Sequence, residues 1–239
     1  MASQVIKNVG KRDYMNNKLP AIFCSHLYYE SCKKFKLPNI RSFFIYNINE
    51  SNFINIDNIN LNHYEKSVLS VLDDERKYKI SKYNKDVAVK MFAGDVISRF
   101  AINYIFGIDI KKLFYKTDNS GKPYLKDYRD VFFNISHSKN AVVCAVSDKK
   151  VGVDVQYMKD VNFKYIIKRC FSEKEKIKIS NSIDKKNEFY NIWTQKESFI
   201  KCNGSKISHG MKYLNYKENT LKNFDIFNYK YKGCICTEK

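Results

Sequence analysis

Val131-Phe132-Phe133-Asn134-Ile135-Ser136, Ala141-Val142-Val143-Cys144-Ala145-Val146 and Val151-Gly152-Val153-Asp154-Val155-Gln156 follow one another near the middle of the chain. Each run is rich in β-branched and aromatic residues and has the length of one strand. The polar Ser147-Asp148-Lys149-Lys150 between the last two predicts a hairpin. Helical patterns lie on both sides. Upstream, from about Asn62 to Ile105, Val89, Phe92, Val96 and Phe100 recur at three- and four-residue spacing, which predicts two successive helices. Downstream, Ser172 and Glu175 have the form of a capping box, and Phe189, Trp193 and Ile200 support a helix over 186–202 that Asn203-Gly204 would end. Ser42-Phe43-Phe44-Ile45-Tyr46 reads as the first strand. Leu113 to Thr117 reads as another, entering the turn Asp118-Asn119-Ser120-Gly121, and short strands ending in Cys234-Ile235-Cys236 close the chain. Strands, helices, strands, helices and strands in that order predict an α+β fold.

Composition narrows the function classes. A chain of 239 residues with 44% hydrophobic residues, 18 Tyr and 17 Phe can bury a core, and no apolar run approaches the ~18 residues of a membrane span. The formal charge of +18, from 43 Lys and Arg against 25 Asp and Glu, would attract phosphates or an acidic protein surface. The basic residues are nevertheless scattered, as general enrichment in Lys, Asn, Ile and Tyr would also make them. Seven cysteines without scaffold spacing or a CxxC pair suit a reducing compartment, and the dispersed histidines argue against structural zinc. Residues 1–40 carry Lys7, Lys11, Arg12 and Lys18 but no secretory apolar core, and they read as a partly ordered N-terminal extension. The folded body is expected from Arg41.

Strand alternation places Asp154 with Gly152 and Gln156 on the face opposite the valines, where a carboxylate is either solvated or free to meet a metal. Glu197 and Lys201 lie one helical turn apart on one face, either as an exposed ion pair or as an acid and a base sharing a phosphate-metal centre. His137 follows a strand between two serines, a setting for a structural hydrogen bond or for contact with phosphate oxygens.

Three segments taken together, Phe133-Asn134-Ile135-Ser136-His137-Ser138, Val151 to Gln156, and Trp193-Thr194-Gln195-Lys196-Glu197-Ser198-Phe199-Ile200-Lys201, resemble the signature motifs of Sfp-like 4'-phosphopantetheinyl transferases. The resemblance runs from about Arg41 to the C-terminus. It implies two similar α/β lobes, 41–146 and 151–239, with the active site between them. It also implies transfer of phosphopantetheine from coenzyme A to a serine of an acyl or peptidyl carrier protein, with release of 3',5'-ADP. By the same resemblance, Asp154 and Glu197 hold Mg²⁺, with Mn²⁺ as the substitute. The catalytic group is Glu197, Lys201 and His137. Coenzyme A is expected against Arg76, Lys79, Lys90, Lys122, Pro123, Ser136, His137, Ser138 and Lys201, the first three at its 3'-phosphate and the Gly121-Lys122-Pro123 element near the adenine. In a lysine-rich chain Arg76, Lys79 and Lys90 equally suit a solvated helix face, and Gly121-Lys122-Pro123 a simple turn. Many members carry a second carboxylate where this chain has Gln156, so Gln156 or water would complete the metal shell. Deprotonation of the serine falls to Glu197 or to a metal-bound water. A cytoplasmic monomer without nucleic-acid or membrane partners, serving fatty-acid, polyketide or nonribosomal peptide synthesis, completes the expectation.

Two other classes are weighed against it. A basic nucleic-acid-binding protein would use the lysines on phosphates and the aromatics on bases, but no motif of that kind is present. A different Mg²⁺-dependent nucleotide enzyme lacks its GxxxxGK[ST] loop or GxGxxG turn.

Overall fold

The computed structural model describes residues 21–27, 40–47, 52–55, 70–72, 74–204, 211–226 and 230–239, the first three segments and residues 79, 85, 86 and 89 by backbone alone. The expected helical stretch over 62–69 lies outside them. Strands β1 (Ala21–Leu27), β2 (Ile40–Asn47) and β3 (Asn52–Asn55) precede helices α1 (Asp74–Ser81) and α2 (Lys85–Phe106). A short pair, β4 (Tyr115–Thr117) and β5 (Pro123–Leu125), leads to β6 (Phe132–Ser138), β7 (Ala141–Ser147) and β8 (Val151–Tyr157). Helices α3 (Lys164–Cys170), α4 (Glu173–Asn181) and α5 (Lys185–Asn203) follow, then β9 (Asn219–Ile226) and β10 (Tyr231–Glu238). The fold is α+β.

Strands β3-β2-β1-β7-β6 form an antiparallel sheet, and β8-β10-β9 a second one, so the hairpin expected across residues 147–150 is corrected: β7 pairs with β6 and β1, and β8 crosses to the second sheet to pair with β10. β1 corrects the expected start of the folded body at Arg41, since Ala21–Leu27 sits inside the sheet between β2 and β7. What makes that segment a strand is pairing with two distant neighbours, which no local pattern reveals.

β7 is buried along its whole length, and its alternating side chains serve two cores. Val142, Cys144 and Val146 join Phe92, Val96, Ile97 and Phe100 of α2, whereas Ala141, Val143 and Ala145 join Val151, Val153, Val155, Phe224 and Ile235 of the second sheet. The α2 face expected from the spacing of Phe92, Val96 and Phe100 is thus the face that packs. Gly107 ends α2 in the left-handed region at φ 70°, and Asn84 caps its start by accepting from Val87 N. The capping box at Ser172 is formed, with Ser172 N donating to Glu175 Oε2 at 2.7 Å, and Gly204 at φ 64° ends α5 as its sequence predicts. The five cysteines whose side chains are described, Cys144, Cys170, Cys202, Cys234 and Cys236, are free thiols.

Helix α5 lies directly on the outer face of β8. A Cβ at Gly152 would stand 2.1 Å from Ser198 O and 2.3 Å from Cys202 N, so only a hydrogen at that position lets the two backbones meet. Gly152→Ala is expected to destabilise the protein by about 3 kcal/mol or more, as overpacking against rigid backbone does. Urea unfolding measures it; a loss below ~1 kcal/mol would mean that the helix lifts away freely.

Candidate active site

The contact between α5 and β8 gathers the polar residues singled out in the sequence. Asp154 emerges beneath α5 with 2% of its surface exposed, which excludes the solvated carboxylate. Its Oδ1 accepts from Lys201 Nζ at 2.6 Å and from Ser136 Oγ at 3.0 Å, and its Oδ2 from Gln156 Nε2 at 3.0 Å. Ser136 Oγ in turn accepts from Lys201 Nζ at 3.0 Å and from Val155 N at 3.3 Å. One donated proton and two accepted bonds use the full capacity of that hydroxyl.

The exposed Glu197–Lys201 pair is replaced by another arrangement. Lys201 binds Asp154 across the elements, while Glu197, 7% exposed, makes no hydrogen bond or ion pair with the described residues. Burial first, and the negative charge of Asp154 second, push the Glu197 carboxyl up to about 7, against the pull of Lys201. Two carboxylates on elements distant in sequence therefore feel each other at one place. His137, on the adjoining strand, has its pKa lowered by lost hydration and then by the ammonium groups of Lys90 and Lys201, which keeps the ring neutral near pH 7.

Beside this cluster is a cavity of about 500 Å³ whose wall includes Arg76, Lys90, Arg99, Gly121, Pro123 and His137. Asp95 organises its floor: Arg76 Nε donates to Oδ2 at 2.9 Å and Arg99 Nη1 to Oδ1 at 3.2 Å, and the Arg99 guanidinium stacks 3.9 Å from the centre of the Tyr115 ring. Arg76, Lys90, Pro123 and His137, far apart in sequence, thus share one cavity. Of Lys79 only the backbone is described.

Three other expected cofactor residues are directed elsewhere. The Lys122 ammonium donates to the carbonyls of Lys201 at 2.6 Å, Val151 at 3.0 Å and Cys202 at 3.4 Å, a cation closing the C-terminus of α5, so its side chain is corrected from ligand contact to helix capping. Ser136 faces Asp154, and Ser138 Oγ accepts from Tyr157 N at 2.9 Å, so neither hydroxyl lies on the cavity wall. The alternation of β6 explains this, since it sends His137 one way and both serines the other. Sequence reading missed Asp95 and Arg99; the signal available was an acid and a base four residues apart in a helix otherwise rich in apolar residues.

Among the described residues no three His, Cys, Asp or Glu side chains cluster as a metal site. The donors present fit a hard divalent ion nonetheless. Asp154 and Glu197 would supply two carboxylate oxygen donors, and a buried acid without a protein partner among the described residues, next to a second carboxylate, is a setting that a cation would satisfy. Gln156 now donates to Asp154 and could coordinate only after its amide turns.

Residues 60–149 match the family model described as 4'-phosphopantetheinyl transferase, N-terminal, and residues 150–238 match that of the 4'-phosphopantetheinyl transferase superfamily. The chain belongs to the Sfp-like 4'-phosphopantetheinyl transferase family. Among curated members of the family, it is 33% identical over 143 residues to 4'-phosphopantetheinyl transferase Sfp of Bacillus subtilis (strain 168), covering 59% of this chain and 63% of that protein. It is 29% identical over 155 residues to 4'-phosphopantetheinyl transferase gsp of Aneurinibacillus migulanus, covering 64% of each. With 4'-phosphopantetheinyl transferase HetI of Nostoc sp. it shares 28% over 123 residues, 48% of this chain and 52% of that one. The similarity thus spans less than two thirds of each of these relatives, while the two family models matched by this phosphopantetheinyl transferase family member take in β6, β8 and α5. No helix among the described residues is long and apolar enough to cross a membrane.

Proposed function

We propose that the protein moves the 4'-phosphopantetheine group of coenzyme A onto a serine of an apo-carrier protein, in a Mg²⁺-dependent reaction that releases 3',5'-ADP. The observation that carries this reading is the convergence of Asp154, Glu197 and Lys201 beside a basic cavity. The serine oxygen attacks the β-phosphorus of coenzyme A, the pyrophosphate P–O bond breaks, and its electron pair leaves with 3',5'-ADP. Glu197, buried beside Asp154, or a water held by the metal would take the serine proton. Lys201 spends two N–H bonds on Asp154 and Ser136, which leaves its third for a phosphate oxygen. His137, neutral, offers a further hydrogen bond from the cavity wall. Asp154 and Glu197 would hold the Mg²⁺, which supplies charge neutralisation to the pyrophosphate. Two similar lobes, split between β7 and β8, would place this site at their junction. The charge of +18 suits acidic carriers of fatty-acid, polyketide or nonribosomal peptide synthesis, with a transfer rate that falls as salt rises. A monomer acting in the cytoplasm completes the reading.

Incubation with apo-carrier protein, coenzyme A and Mg²⁺, followed by mass spectrometry, should show the covalent phosphopantetheine adduct. No adduct with either acyl or peptidyl carriers, together with salt-sensitive oligonucleotide binding, would favour the nucleic-acid reading. If Arg76 and Lys90 receive the 3'-phosphate, Arg76→Ala or Lys90→Ala raises the KM for coenzyme A about tenfold or more, the worth of one hydrogen bond to a charged group. With 3'-dephospho-coenzyme A the same variants should match the wild type; an equal rise with both substrates would place the phosphate elsewhere.

A further inference from the structure

β6 and β8 lie side by side in the same direction, yet they belong to different sheets and share no backbone ladder. Side chains of β6 take the ladder's place. Asn134 Oδ1 accepts from Val153 N at 2.8 Å, Ser136 Oγ from Val155 N at 3.3 Å and Ser138 Oγ from Tyr157 N at 2.9 Å, each pair 19 residues apart in the chain. A direct ladder would hold the strands about 4.8 Å apart, and an interposed side-chain oxygen requires a wider gap.

The first two of these bonds bracket Asp154. On the other edge of β8, Asp154 pairs with Cys234 of β10, so the peptides around the carboxylate are held from both sides. Ser136 cannot be separated from the site because it touches Asp154 and Lys201 directly. Asn134 is different: its side chain bonds to the backbone alone, it is 5% exposed, and Val153 is fully buried, so no water stands ready to replace it. We infer that Asn134 is a positioning residue, whose bond to Val153 N sets where β8 stands against β6 and hence how far the Asp154 carboxylate lies from Glu197 on α5.

For its kinetic arm alone the inference rests on the transferase reading, so metal affinity is measured beside activity. Asn134→Leu keeps the volume without the acceptor, and Asn134→Asp keeps an acceptor at the same reach. Titration with Mn²⁺ followed by electron paramagnetic resonance, without substrates, should show about tenfold or weaker binding for the leucine variant and affinity within about threefold of wild type for the aspartate variant. In the adduct assay kcat should fall about tenfold or more for leucine, with the KM for coenzyme A within about threefold, and recover with aspartate. If the leucine variant does not fold, Asn134→Ala, which has no acceptor at all, should show the same losses relative to Asn134→Asp. Wild-type Mn²⁺ affinity in the leucine variant, or equal impairment of the leucine and aspartate variants, overturns the inference. Loss of Mn²⁺ affinity in Asn134→Leu while even the wild type forms no adduct would sustain the positioning role and sink the transferase reading instead.

Discussion

Asp154→Ala is expected to lower the rate of adduct formation at least ~10²-fold while leaving a folded protein. The carboxylate accepts from three groups, so its removal withdraws one of the two proposed metal ligands and the anchor of Lys201 together. Lys201 keeps part of its surface in water, so its stranded ammonium can be rehydrated and the stability loss should stay near ~1–3 kcal/mol. Asp154→Asn separates the two effects: the amide keeps the shape and one acceptor but removes the charge, so activity should remain low while the urea midpoint recovers. Near-normal transfer by either variant would show that the site lies elsewhere.

Removing metal should expose a second effect, in stability. In the folded, metal-free protein Glu197 keeps its proton up to about 7, whereas the unfolded chain releases it near the ordinary value of 4.5. The folded state therefore binds more protons in that interval. The stabilisation linked to this proton is fully present below pH 4.5 and disappears as pH rises through 7, a change of about 3 kcal/mol. Urea unfolding in EDTA should show that decline from pH 5 to pH 8, and Glu197→Gln should flatten it. Saturating Mg²⁺ at pH 8 should restore about 2–3 kcal/mol to the wild type and nothing to Glu197→Gln. Identical pH profiles for the two proteins would mean that Glu197 is not the buried acid described.

The parts of the fold legible in the sequence were those built from contacts within one or two turns. Phe92, Val96 and Phe100 on α2, the Ser172–Glu175 cap and the Gly204 stop each depend on residues three or four positions away, and the structure keeps all of them. Asp154, Gln156, Glu197, Lys201 and His137 were legible as residue types at motif spacing. Their partners were not. Glu197 and Lys201 read as a pair because helix geometry makes them neighbours, yet Lys201 binds Asp154, 47 residues away, and the Lys122 ammonium closes a helix end 79 residues away. β1 likewise looked like part of a loose extension, because its strand character comes from β2 and β7.

From residue order alone follow the main helices with their caps, the α+β class and the short set of side chains able to do phosphate and metal chemistry, since hydrogen bonding over a few residues and the periods of helix and strand are written locally; the hairpin expected across residues 147–150 did not follow, because its two strands pair in different sheets. Which carboxylate holds Lys201 is decided by the packing of α5 on β8 at Gly152, and how β6 stands off from β8 by the side chains that bridge them. Those outcomes depend on packing between surfaces that the chain brings together after its local structure is made.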